Sequence, residues 1–261
     1  MNLEELFSLK GRSALVTGGS RGIGRMIAEG FVRAGVRVYI SARKAEACDA
    51  TARELSELGH CVSLPGDVSS LEGIQQLVTE LKQHESSLDI LVNNAGAAWA
   101  EPYDEFPESG WDKVVDLNLK TPFFLTQALT PMLEAAAKEH LAKVIHIASI
   151  DGISLNPLDT YSYHASKAGL IHLTRRMAVE LAPRRIAVSA IAPGAFASNM
   201  NKTARDQGDR VARRVPLGRI GQPSDIAGAA IFLASNAGDY VVGDTLAVDG
   251  GSAWSRINRA D

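Results

Sequence analysis

Tyr163 and Lys167 stand four residues apart in Tyr163-His164-Ala165-Ser166-Lys167, within a stretch whose following residues repeat with helical period. Residues i and i+4 share a helix face, so a phenol and an ammonium there address one ligand. A phenol ordinarily titrates near ~10, and a neighbouring ammonium favours the phenolate, bringing it toward a useful range for proton transfer. Alone, such a pair is common and more often marks an exposed helix face, but two further residues reverse that reading. Ser149 closes an apolar run fourteen residues before Tyr163, where its hydroxyl can hold a substrate carbonyl. Asn118 lies in Asp116-Leu117-Asn118-Leu119 inside a long helical pattern. An amide is a poor helix former and more often kinks the helix or binds something.

A second chemistry is written earlier, in Thr17-Gly18-Gly19-Ser20-Arg21-Gly22-Ile23-Gly24, between a strand pattern and a helix pattern. A glycine-rich turn there lets the backbone approach a pyrophosphate, and the helix N-terminus offers unpaired N–H groups and partial positive charge. At the end of the second strand, where a carboxylate would bind the adenosine ribose of NAD, the chain reads Tyr39-Ile40-Ser41-Ala42-Arg43-Lys44. Arg43, helped by Arg21 and Lys44, can instead pair with a ribose 2'-phosphate. NADP(H) is therefore expected over NAD(H); the alternative is that Arg43 and Lys44 begin a solvated helix.

Together these residues resemble a short-chain dehydrogenase/reductase over essentially the whole chain and in the family's order. Thr17 to Gly24 matches the family's glycine turn, so the resemblance assigns cofactor contacts to Gly18, Ser20, Arg21, Gly22, Ile23 and Gly24. It assigns further ones to Asp67 and Val68 near the adenine, to Asn94, Ala95 and Gly96 in the motif that steadies the central sheet, and to Pro193 and Gly194 beside the nicotinamide. Ser198 stands where many members carry a threonine that touches the carboxamide, and Asp249-Gly250-Gly251 resembles a common C-terminal motif. Asn118, Ser149, Tyr163 and Lys167 match the catalytic tetrad. The implied roles are proton donor for Tyr163, carbonyl polarisation for Ser149, and an anchor of a water-linked proton relay for Asn118. Lys167 is to lower the tyrosine's pKa and hold the nicotinamide ribose.

Within the family the chain is most similar to NADPH-dependent 3-oxoacyl reductases, including the branch named for rhamnolipid biosynthesis. That resemblance implies reduction of a 3-oxoacyl thioester; a free small ketone, sugar or steroid-like alcohol is the alternative substrate, and a non-catalytic NADPH-sensing protein a remote one. It also implies a homotetramer built on the two long helices. An acyl-carrier-protein partner would want a basic patch, and Lys138, Lys143, Arg184 and Arg185 are the residues expected to supply it beside the active site. The alternative is that helix C-termini simply favour cations.

These side chains need a frame, and the patterning supplies one. Short β-branched runs at 13–17, 37–40, 61–64, 90–92, 143–148, 187–191 and 245–248 alternate with helical segments near 23–34, 45–58, 70–84, 109–137, 164–182 and 224–235. Such alternation implies parallel strands with right-handed crossover helices, hence a single doubly wound Rossmann-type α/β domain over 1–261 with a seven-stranded parallel sheet. No linker divides it. Residues 195–216 carry the least periodic stretch and read as a substrate lid. Tyr161 lacks a lysine four residues on and reads as wall or packing, and His146, in an apolar strand, as a hydrogen-bonded core histidine.

Composition bounds the rest. The 261 residues are 46% hydrophobic and 22% charged with net charge -3, a globular profile without the basic footprint of a nucleic-acid binder. Two cysteines, Cys48 and Cys61, are too few for a disulfide framework, and no cluster has metal-ligand spacing. The acidic N-terminal residues Glu4 and Glu5 do not read as a secretion signal, and no apolar run reaches membrane-spanning length. A cytoplasmic protein is expected.

Overall fold

The computed structural model describes residues 2–198 and 201–255. In chain order, α1 (Leu3–Phe7) leads to β1 (Ser13–Thr17), α2 (Gly22–Arg33), β2 (Arg37–Ser41), α3 (Ala45–Ser56), β3 (Cys61–Ser63), α4 (Leu71–His84) and β4 (Ile90–Asn93). Then come α5 (Glu108–Val115), a π-helical turn (Asp116–Lys120), α6 (Thr121–Ala136), β5 (Ala142–Ile147), α7 (Tyr161–Leu181) and β6 (Ile186–Pro193). The chain continues through α8 (Lys202–Asp206), α9 (Gly208–Ala212), α10 (Pro223–Ala234) and β7 (Thr245–Val248).

The seven strands form one sheet in the order β3-β2-β1-β4-β5-β6-β7, and every neighbouring pair is parallel. Successive side chains on a strand face opposite ways, and here both faces are apolar. Val16, Ile40, Val92 and Ile145 share one core with Ile27, Phe31 and Ile226 of α2 and α10. Leu15, Tyr39, Leu91 and Val144 share the other with Leu77, Leu125 and Met177 of α4, α6 and α7. Burial on both faces is why the strands read as nearly continuous apolar runs. The winding reverses between β1 and β4, so the carboxyl ends of these strands open the crevice where doubly wound sheets bind ligands.

The structure departs from the sequence reading in three places. The single helix expected over 109–137 is divided into α5 and α6 by the π-helical turn around Asn118. α7 starts at Tyr161 rather than 164, which places both Tyr163 and Lys167 within the helix. The stretch expected to be an irregular lid forms α8 and α9 and tucks Phe196 and Val215 into the body; its residues 199 and 200 lie outside the described residues. Among the described residues no helix is long and apolar enough to cross a membrane, and no three metal-ligating side chains are grouped.

His146 on β5 is fully buried with Nδ1 2.9 Å from Thr174 Oγ1, as a core histidine should be. Burial, seconded by the Lys167 charge, holds its pKa near 3. The folded protein therefore keeps the ring neutral while the unfolded chain takes up a proton below about 6.5. Its contribution is complete above that pH and is lost as pH falls toward 3, at up to about 1.4 kcal/mol per pH unit. Melting curves between pH 8 and 4 should fall less steeply for His146→Asn than for the wild type; parallel curves would remove His146 as a source of acid lability.

Candidate active site

The residues assigned to the cofactor and to the tetrad stand at the carboxyl edge of the sheet or on an element packed over it. Gly18, Ser20, Arg21, Gly22, Ile23 and Gly24 form the turn from β1 into α2; Arg43 follows β2; Asp67 and Val68 follow β3; Asn94, Ala95 and Gly96 follow β4. Ser149 follows β5, Pro193 ends β6, and Gly194 and Ser198 continue from it. A parallel sheet requires this convergence, because all its strands end on the same side.

The glycine turn is fixed from within. Thr17 Oγ1 accepts from the N–H groups of Asn94 and Ala95, both at 3.0 Å, and donates to Val92 O at 3.3 Å. Asn94 Nδ2 donates to the carbonyls of Thr17 (2.8 Å) and Gly18 (3.2 Å). A Cβ at residue 24 would run into Asn94 Nδ2 and the Gly18 carbonyl, so this glycine answers to close packing of turn, helix and β4. Gly194 answers to Asp249 in the same way, since its Cβ would stand 2.7 Å from that residue's. Both had been read from sequence as glycines that let a dinucleotide approach; their immediate constraint is the protein itself. The amide of Asn94 likewise braces the turn.

What the turn offers a ligand is the start of α2, which has no side-chain cap. Its first N–H groups and the helix dipole make an anion site. Beside it opens a cavity of about 380 Å³ whose lining includes Ser20, Arg21, Gly22, Met26 and Ser198. Ser198 is brought to the turn from beyond β6, with its Cβ 3.3 Å from where a Gly22 Cβ would be. Arg25 is occupied by Glu54 at 2.7 Å. Arg21 and Arg43 are exposed, and neither side chain has an ion pair or hydrogen bond among the described residues, which leaves two guanidinium groups for a phosphate. Asp67 is exposed and caps the Ser69 N–H at 3.0 Å, and the Val68 carbonyl accepts from Thr121 Oγ1 at 2.7 Å. This set fits a dinucleotide laid across the sheet edge.

The tetrad residues meet around α7. Lys167 is buried and Nζ donates to Ile147 O at 2.7 Å, 5.7 Å from the centroid of the Tyr163 ring. Ser149 caps the short 3-10 turn Ile150–Gly152 by accepting from the Asp151 N–H at 3.1 Å. Burial pushes the Tyr163 phenol up to about 12, partly offset by its hydrogen bond with Ser149 and seconded by the Asp151 charge. Burial also brings the Lys167 ammonium down to about 8. The phenol thus lies above its ordinary range rather than below it, with desolvation as the leading cause. A phenol held this high stays protonated at neutral pH and is poised as a proton donor.

Asn118 is fully buried in the π-helical turn, the kind of local distortion that gathers at functional sites. Its Oδ1 accepts from Ala97 N at 2.8 Å, and Nδ2 donates to Ala97 O at 2.9 Å and Ser166 Oγ at 3.1 Å. Both amide hydrogens are therefore committed. Its side chain braces the segment after β4 against α7. Ser166 and Ala97 escaped the sequence reading, because a serine beside a lysine and a lone alanine carry no signal. Tyr161 lines the outer wall, 5.6 Å edge-to-face from both Tyr103 and Phe106.

The basic patch does not stand beside this site. Arg184 follows the C-terminus of α7, Lys138 that of α6, and Lys143 lies at the start of β5. Helices run back against the strands, so these residues occupy the opposite edge of the sheet, a strand length of about 20 Å away. Each of three is also taken: Arg184 by Glu134 at 2.6 Å, Arg185 by Ala137 O at 2.7 Å, and the buried Lys143 by Asp239 at 2.7 Å.

Residues 18–253 match the family model described as Enoyl-(Acyl carrier protein) reductase. The chain is 46% identical over 249 residues to the rhamnolipids biosynthesis 3-oxoacyl-[acyl-carrier-protein] reductase of Pseudomonas aeruginosa, covering 94% of this chain and 97% of that one. It is 41% identical over 254 residues to the 2-dehydro-3-deoxy-D-gluconate 5-dehydrogenase of Escherichia coli, covering 94% and 96%. Among solved structures, the Pseudomonas aeruginosa RhlG/NADP active-site complex superposes with a TM-score of 0.92 at 45% identity, covering 97% of this chain and 100% of that one. With a seven-stranded doubly wound sheet, a glycine turn under an uncapped helix and a half-buried tyrosine over a buried lysine at its edge, the chain belongs to the short-chain dehydrogenase/reductase family and is an oxidoreductase.

Proposed function

We propose that this protein reduces the ketone of a 3-oxoacyl thioester to the 3-hydroxyacyl form with NADPH. The observation that carries the chemistry is the half-buried, protonated Tyr163 beside the buried Ser149 and Lys167, at the sheet edge that carries the glycine turn. The thioester is supported by the 46% identity to a 3-oxoacyl reductase over nearly the full length of both chains. The RhlG/NADP complex supports the cofactor, as do the two unpaired guanidinium groups of Arg21 and Arg43.

When bound, NADPH supplies hydride to the carbonyl carbon. The chain's residues do the rest. The α2 N-terminus and the Gly22 backbone hold the pyrophosphate, and Arg21 and Arg43 the 2'-phosphate. Ser149 donates a hydrogen bond to the carbonyl oxygen and stabilises the charge that develops there. Tyr163 gives that oxygen its proton, and the Lys167 ammonium stabilises the phenolate left behind while also holding the ribose. Asn118 keeps α7 in place through Ser166.

The pH dependence follows. Reduction needs the phenol protonated and the lysine charged, so its kcat should be flat from pH 6 to 7.5 and fall as Lys167 loses its proton above about 8. Oxidation of the 3-hydroxyacyl product needs the phenolate and should rise with pH. Initial rates in both directions check this; a reduction rate that climbs from pH 7 to 9 would contradict the assigned roles.

A second reading, dehydrogenation of a sugar acid, is favoured by the 41% identity to the gluconate-type enzyme. Comparing kcat/KM for 3-oxoacyl thioesters on acyl carrier protein or coenzyme A with that for keto-gluconates separates the two. At least tenfold preference for a thioester is expected; the reverse preference would overturn the proposal. The opposite-edge position of Arg184 and Arg185 means that carrier recognition, where it occurs, uses other residues.

A further inference from the structure

α7 carries both Tyr163 and Lys167, so its seat on β5 decides where phenol and ammonium lie. Two polar contacts hold that seat. One is Lys167 Nζ to Ile147 O, 2.7 Å. The other joins the preceding strand residue to the same helix: His146 Nδ1 lies 2.9 Å from Oγ1 of Thr174, which follows Lys167 by seven residues, about two turns. Lys167 Nζ and the Asn118–Ser166 bond hold the first turns of the helix; the Thr174 bond adds a hold on β5 about two turns further along it.

The direction of the second bond is determined by its surroundings. The Thr174 hydroxyl has one hydrogen and gives it to Leu170 O at 2.7 Å, so toward the ring it can only accept. Nδ1 therefore carries the proton. Burial keeps the ring neutral, which leaves Nε2 a bare acceptor. Nε2 is buried and has no hydrogen-bond partner among the described residues, so Nδ1 alone orients the ring. The register partner on β4, Asn93, offers no donor through its oxygen: its Nδ2 goes to Thr126 Oγ1 at 3.1 Å, and Oδ1 is likewise buried without a partner.

We propose that His146 is a positioning residue for the reaction: its Nδ1–H, bonded to Thr174, fixes the rotation and axial register of α7 on β5 and so aims Tyr163 and Lys167 at the carbonyl. The proposal rests on the reading of Tyr163 and Lys167 as the catalytic pair. No contact with substrate is assigned to His146. Small displacements suffice for a large effect, since a misplacement of about 1 Å can cost up to about a hundredfold in rate.

Two amide side chains separate the ring's two nitrogens. An asparagine amide nitrogen takes the place of Nδ1, and a glutamine amide nitrogen that of Nε2. His146→Asn should keep kcat within about threefold of wild type, whereas His146→Gln, His146→Leu and the near-isosteric Thr174→Val should each lose about tenfold or more. Rates are normalised to the fraction that binds NADPH by fluorescence titration, and the NADPH dissociation constant should move less than about threefold, because the phosphate contacts lie across the sheet on β1 and β2. Equal activity of the Asn and Gln variants, full activity of folded Thr174→Val, or a loss confined to NADPH affinity would overturn the proposal. Tyr163→Phe is run alongside: if that variant stays active, the catalytic reading fails, and if it is dead while the His146 series is flat, only the positioning role fails.

Discussion

Replacing Tyr163 with phenylalanine is expected to lower kcat for ketone reduction by at least about a thousandfold while leaving NADPH binding within a few-fold. General acid catalysis alone supplies about a hundred- to ten-thousandfold, and the same hydroxyl stabilises the developing oxyanion. The ring itself should remain in place, because only its hydroxyl is removed and the helix that carries it keeps the Lys167 bond to Ile147. Fold and cofactor affinity thus serve as internal controls. A variant that turns over at near wild-type rate with NADPH bound would dismiss Tyr163 as proton donor, and no other residue of the site would readily replace it. Tyr161 is engaged elsewhere, donating to Asp159 at 3.0 Å.

The second large effect concerns cofactor choice. A hydrogen bond to a charged group contributes about 1.5 to 3 kcal/mol, so losing one guanidinium from a 2'-phosphate should weaken NADPH binding by about ten- to a hundredfold. Arg43→Ala is expected to show that loss, and Arg21→Ala, Arg43→Ala together a larger one, with NADH affinity nearly unchanged because NADH has no phosphate there. The comparison excludes a general disturbance of the turn. If both cofactors weaken in parallel, the two arginines hold the fold; if neither weakens, the 2'-phosphate is read by other residues.

The sheet and its convergence were legible because parallel strands buried on both faces must be apolar along their whole length, as Ile90 to Val92 and Val144 to Ile147 are. Residue types at four separated positions then indicated the tetrad, and the structure brings these positions to one edge. What escaped depended on burial or on handedness in space. Spacing places Lys167 near Tyr163 but says nothing of desolvation, the leading cause of a phenol pKa above its ordinary range. Asn118 stood out as a polar residue in an apolar helix, yet only the backbone shows that it sits in a π-helical turn with its amide fully used. Lys143 and Arg184 lie on or next to elements that carry the tetrad, but a helix returning along the sheet puts them at the far edge. α8 and α9 are too short and polar for periodicity to show them.

The claim that all these residues serve one event, hydride addition to a ketone carbon with Tyr163 protonating the oxygen, is tested most directly by isotope transfer. The protein is incubated with a 3-oxoacyl thioester and NADPH carrying deuterium at the transferable position of the nicotinamide, and the product is analysed by mass spectrometry. The predicted product is a 3-hydroxyacyl thioester with one deuterium on the carbinol carbon, formed by the wild type and not by Tyr163→Phe. A product without that deuterium, or reduction only of an enoyl thioester to its saturated form, would contradict it.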